Sequence, residues 1–106
     1  MAKFLFTANY TTQRTDGLLK EGAAARCEQI TKAVKSLGGK LEVIYYAFGD
    51  FDVLLIVDFP DASSAAAFSL NANKTGAMRL KTTPLLTVGE IDEAATKTVR
   101  YRPPGA

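Results

Sequence analysis

Gly49-Asp50-Phe51-Asp52-Val53-Leu54-Leu55-Ile56-Val57-Asp58-Phe59-Pro60-Asp61 reads as a turn, a buried strand and the start of a helix. Within a strand over about 52–59, Val53, Leu55, Val57 and Phe59 fall on one side and Leu54 and Ile56 on the other, because strand side chains alternate. Apolar residues on both sides mark an interior strand. Pro60-Asp61 cannot continue it and instead begins a helix, with Asp61 as N-cap. Upstream, the residues around Gly49-Asp50 form a hairpin back to a strand over about 40–48.

Working outward, Gly38-Gly39 ends a helix over about 22–37, since glycine takes the left-handed cap at little cost. Ala23, Cys27, Ile30, Val34 and Leu37 form its apolar stripe. The first strand is 3–10, with Phe4, Phe6, Ala8 and Tyr10 alternating against Lys3, Leu5, Thr7 and Asn9. Between them, Thr11 to Glu21 reads as a polar connection with room for a helical turn, which Gly17 and Gly22 weaken. After Asp61, Ala62, Ala65, Phe68 and Ala72 give the second helix a shallow apolar side, and Asn71 to Gly76 ends it. A fourth strand covers about 77–87. Thr87-Val88-Gly89-Glu90 has capping-box spacing before a short helix to about Lys97. The chain then reads as one domain over 1–98 and a non-periodic arm over 99–106.

The order βαββαβ predicts an α+β, ferredoxin-like fold. Right-handed crossovers give a four-stranded antiparallel sheet of order 4-1-3-2, with two helices on one face. With a hairpin loop of even length, Asp52, Leu54, Ile56 and Asp58 share a face with Leu41, Val43, Tyr45 and Ala47. Val53, Leu55, Val57 and Phe59 share the other with Ile44, Tyr46 and Phe48. The helices cover one of these apolar faces only. The other, on which we place Leu54, requires a partner, and a two-fold homodimer is the commonest closed solution.

Composition excludes several classes. Thirteen basic and eleven acidic residues leave a net +2, too little for a nucleic-acid groove. The longest apolar run, Val53 to Val57, is too short for a membrane span. The absence of histidine excludes the usual triads and Cys-His dyads, and with one cysteine makes a transition-metal site unexpected. The expectation is no cofactor and no metal. The lone Cys27 and an N-terminus without signal-peptide character point to a cytoplasmic protein.

Several stretches carry a family resemblance: Leu37-Gly38-Gly39-Lys40-Leu41, Tyr46-Ala47-Phe48-Gly49-Asp50-Phe51-Asp52, Pro60-Asp61 before an Ala-rich helix, and Thr82-Thr83-Pro84-Leu85-Leu86. Over about residues 4–97 the chain resembles the GYD-domain family. The name motif of that family is Gly-x-Tyr-Asp; here it is Gly49, Asp50, Phe51, Asp52, so no tyrosine hydroxyl is available at Phe51. The resemblance implies two ferredoxin-like units paired into a dimeric α/β barrel, and it brings no established activity with it.

The strand directions gather Asn9, Tyr46, Asp50, Asp52 and Arg79 at one end of the sheet, beside Tyr10, Phe48 and Met78. Such a set suits a small polar or aromatic metabolite. The plainer and stronger reading is that Gly49-Asp50 is hairpin chemistry and that Asp52 fixes the turn by binding backbone amides. Arg79 and Lys81 alternate with Met78 and Leu80, as on a charged edge strand. Cys27, on the apolar stripe, reads as a small buried hydrophobe rather than a nucleophile. The functional expectation is a non-enzymatic homo-oligomeric module that binds a small ligand. The alternative is a cofactor-free isomerase or monooxygenase, which needs a carboxylate or tyrosine of displaced pKa in a cavity.

Overall fold

The computed structural model describes residues 1–74, 76 and 78–105, with the backbone alone for residues 12–15. Thr75, the expected start of the last strand at residue 77 and the final residue of the arm lie outside the described residues. The elements are β1 (Ala2–Tyr10), α1 (Thr12–Glu21), α2 (Ala23–Ser36), β2 (Lys40–Tyr46), β3 (Val53–Phe59), α3 (Ala62–Lys74), β4 (Met78–Leu85) and α4 (Val88–Thr96). The four strands form one sheet in the order β2-β3-β1-β4, which is 4-1-3-2 read from the other edge. Every neighbouring pair is antiparallel. β1 and β3 are interior, and α2 and α3 supply the buried residues of the helical layer.

Alternation builds the core. Phe4, Phe6 and Ala8 of β1 and Val53, Leu55, Val57 and Phe59 of β3 are buried under Ile30 and Val34 of α2 and Ala65 of α3. Phe68 reaches in from α3, its ring edge-on to Phe6 at 5.0 Å; Phe6 and Phe59 meet at 6.0 Å and 88°. These are the T-shaped geometries that aromatic quadrupoles favour.

Local signals set the element ends. The Asp61 carboxylate accepts from Ser64 N at 2.8 Å, capping α3. At the end of α2, Gly39 N donates to Val34 O and Gly38 N to Lys35 O, the two bonds of a Schellman turn. Gly39 is also required by space: a Cβ there would lie 2.7 Å from both Asp58 O and the Phe59 ring. Thr87 and Glu90 exchange reciprocal bonds at the start of α4, at 3.1 and 3.0 Å.

Three expectations are corrected. The 11–21 connection is a ten-residue helix, α1. Gly17 is accommodated inside it, and the chain breaks only at Gly22, where φ is +90°. A single helical glycine costs about 1 kcal/mol, which packing readily offsets; here α1 lies against α2 and β1. Second, β2 carries a bulge. Leu41 pairs with Val57, but Val43 pairs with Ile56, so Glu42 is extra. The bulge carries Leu41 to the helix side, where it packs on the core, while Val43 and Tyr45 stay on the uncovered face. Third, Cys27 is only half-buried, because burial along the stripe begins at Ile30 and Ala23 is exposed.

The face opposite the helices is open. Leu5, Val43, Leu54, Ile56 and Leu85 on it are half-buried, and Tyr45 is 69% exposed. Every described residue from Leu86 to Gly105 is exposed, including Val88 and Ile91 of α4. The whole chain therefore shows 7512 Å² of surface, against about 5,800 Å² for a compact monomer of its mass. Its radius of gyration is 17.0 Å, against about 13 Å. Among the described residues no helix is long and apolar enough to cross a membrane.

Candidate functional site

At the sheet end the expected residues divide. Asn9 and Arg79 are register partners across β1 and β4. Arg79 is exposed and Asn9 half-buried. Both lie on the uncovered side, since their neighbours Ala8, Tyr10, Met78 and Leu80 pack on the core. Tyr46 pairs with buried Val53, which puts it on the helix side, at 36% exposure. Asp50 is exposed in the turn, and Phe48 is fully exposed. The topology thus brings Asn9, Asp52 and Arg79 together and leaves Tyr46 and Asp50 apart from them.

Asp52 has a defined job. The β1–β3 ladder ends at Ala8↔Val53. One step further, Asp52 N donates to Ala8 O at 2.9 Å, and Tyr10 N donates to the Asp52 carboxylate at 2.8 Å. A carboxylate oxygen replaces the carbonyl that a longer strand would have supplied. Ala47 N donates to Asp52 O at 2.9 Å, so the same residue closes the hairpin toward β2. The last residue of the Gly49-Asp50-Phe51-Asp52 motif therefore ties three strands together.

The GYD domain family model matches residues 4–95, which include this motif, β2, β3 and β4, and all of β1 but Ala2 and Lys3. The chain belongs to the GYD domain family. No curated protein matches the sequence. Among solved structures the GYD chain is similar to the crystal structure of MtbAldR (Rv2779c), with a TM-score of 0.61 at 16% identity. That likeness covers 81% of this chain and 53% of the other, so the GYD chain spans about half the length of that protein. At this identity the likeness concerns the fold alone.

The opposite end of the open face holds an ion cluster. Lys3 Nζ donates to Glu42 Oε1 at 2.5 Å and to Asp58 Oδ1 at 3.1 Å. These bonds, Glu42 first and then Asp58, raise the Lys3 pKa above its ordinary value. The Asp58 carboxyl is held below its ordinary value, first by hydrogen bonding with the Glu42 carboxyl and further by the Lys3 ammonium. Asp61 is also lowered, by its bonds from Ser64 and then Ser63 at the α3 cap. Both displaced carboxylates move down, the direction of paired and capping groups. A general acid for the isomerase or monooxygenase reading needs the reverse.

A cleft of about 450 Å³ separates α2 from α3 on the helix side. Its walls include Arg26, Ile30 and Ala33 of α2 and Phe68 and Ala72 of α3, with Met78 of β4. Ile30, Phe68, Ala72 and Met78 also line a smaller apolar hollow beneath, bounded by Tyr10, Val53 and Leu55. The Arg26 side chain is only 14% exposed, and its Nε is buried without a hydrogen-bond partner among the described residues. Its nearest carboxylate, on Glu21, stands 3.9 Å from Nη1, too far for a hydrogen bond. Reading the α2 stripe through Cys27 missed this residue. The signal was present: Arg26, Ile30, Ala33 and Leu37 follow steps of four, three and four, which places a cation on a half-apolar helix face.

Proposed function

We propose that this GYD domain is a self-pairing, non-enzymatic module whose open sheet face meets the same face of a second copy, giving a dimeric α/β barrel. The unit is the fold over 1–98, with 99–106 as an arm. The observation that carries the reading is the apolar row Leu5, Val43, Leu54 and Ile56, with exposed Tyr45, on a sheet face that none of the described elements covers. A stable interface buries about 800 Å² on each partner. The surplus surface of this chain is large enough to supply that area from the sheet face and the exposed arm together. The face is also self-complementary in charge: the Lys3–Glu42–Asp58 cluster at one end and Asn9 and Arg79 at the other allow a two-fold axis to bring acidic and basic groups into register. Asn9 and Arg79 remain the sheet-end residues suited to a small polar ligand, whereas Asp52 belongs to the scaffold. The lone free Cys27 supports a cytoplasmic setting.

The test is molar mass by light scattering at micromolar concentration. The reading expects twice the 11.4 kDa chain mass, and a single-chain mass for Leu54→Lys with its circular dichroism unchanged. A wild-type mass of one chain refutes it.

A further inference from the structure

We propose that the cleft between α2 and α3 is a binding site for a small organic carboxylate with an apolar body, held by Arg26 at its head and by Ile30, Phe68 and Met78 along its length. This goes beyond self-pairing and uses the other side of the molecule. The cleft lies in the helical layer, so a partner seated on the open sheet face leaves it accessible.

Three observations converge. The cleft has the size and mostly apolar lining of a small-molecule site. Its floor continues into an apolar hollow over Tyr10, Val53 and Leu55. Its wall carries a largely buried guanidinium whose Nε donor has no partner among the described residues. A buried donor left unpaired is costly, and guanidinium is always charged, so an anionic acceptor is the natural complement. A carboxylate matches its planar fork, with two parallel N–H···O bonds. Among the described residues, Arg26 is the one charged residue lining the cleft, and the Glu21 carboxylate 3.9 Å from its Nη1 already offsets part of that charge, so the site favours a monoanion over a more highly charged one. The apolar lining selects a body such as a fused aromatic ring or a short alkyl chain, which Phe68 and Met78 would contact.

The experiment uses the full chain with 2-naphthoate and its neutral counterpart 2-naphthylmethanol, followed by calorimetry. The expected result is one naphthoate bound per chain, with naphthoate preferred over the alcohol by about tenfold, the scale of one charge-assisted hydrogen-bonded pair. Arg26→Gln should erase the preference while leaving the alcohol's affinity unchanged, and Arg26→Lys should restore part of it. Ala33→Phe, at an exposed position on the cleft wall, should fill the cleft and abolish binding of both without altering the melting temperature. The proposal is overturned by no saturable naphthoate binding, by equal affinities for the two compounds, or by a preference that survives Arg26→Gln. It is also overturned if naphthoate affinity falls as protein concentration rises, since an apolar segment of a second copy then occupies the cleft. None of these outcomes depends on the sheet-face dimer, so Leu54→Lys should bind naphthoate as the wild type does.

Discussion

Replacing Asp52 by alanine removes the acceptor for Tyr10 N while leaving the backbone bonds of Asp52 to Ala8 and Ala47 in place. The lost bond is charge-assisted and partly buried. Removing one partner of such a bond costs about 1–3 kcal/mol, and partial exposure places this one near 2. For a domain of this size, 1 kcal/mol shifts the melting temperature by roughly 4–8 °C. Asp52→Ala should therefore melt about 8–16 °C below the wild type at equal protein concentration. Asp52→Asn keeps an oxygen acceptor and loses the charge; neutral bonds are about half as strong, so its loss should be about half as large. Far-UV circular dichroism during a thermal ramp measures both. A melting temperature for Asp52→Ala within about 2 °C of wild type, or an Asn variant as unstable as the Ala variant, would refute the latch role.

Gly39→Ala should lower the melting temperature by at least about 5 °C, because a Cβ meets Asp58 O and the Phe59 ring at 2.7 Å and overpacking costs about 1–3 kcal/mol. Gly89→Ala, whose added Cβ would come no nearer than 4.0 Å to the Thr87 hydroxyl, should be neutral or slightly stabilising, and equal effects at the two positions would contradict the close approach. The Lys3 cluster makes stability depend on pH in a defined way. Asp58 has a depressed pKa, so its contribution holds above the ordinary carboxylate range and disappears as pH falls through its lowered folded value. Lys3 has a raised pKa, so its contribution holds below the ordinary lysine range and disappears as pH rises through its folded value. The stability gap between wild type and Lys3→Met should accordingly be flat through neutral pH and close at both extremes, and a gap that persists undiminished at pH 2 in urea titrations would contradict the pairing. Cys27, half-buried, should react with a thiol reagent measurably in the native state but more slowly than in denaturant; equal rates would place it in open solvent.

The parts of the fold legible in the sequence are those set by short-range chemistry. Alternation in Val53 to Phe59 identified an interior strand, Asp61 and Thr87-Glu90 announced two helix starts, and Gly38-Gly39 announced a helix end. The Glu42 bulge was not legible, because Leu41, Val43, Ile44 and Tyr45 are apolar enough to satisfy either face until the register with β3 is known. α1 was obscured by Gly17, whose cost tertiary packing overrides. In the candidate site, turn chemistry pointed to Asp52 binding backbone amides of the hairpin, whereas the bond its carboxylate accepts from Tyr10 N on β1 became visible only with the β1–β3 register. The separation of Tyr46 from Asn9 and Arg79 required the register, and the α2/α3 cleft required the spacing of two helices that are distant in sequence.

Pairing of the sheet faces of two copies places methyl groups of one chain against those of the other. Its most direct test is an isotope-filtered NOE experiment on a dimer mixed from labelled and unlabelled chains. Intermolecular contacts are expected from the Leu5, Val43, Leu54 and Ile56 methyl groups to the same set in the partner. Intermolecular contacts confined to α2, α3 or α4, with none from these four methyl-bearing residues, would contradict it.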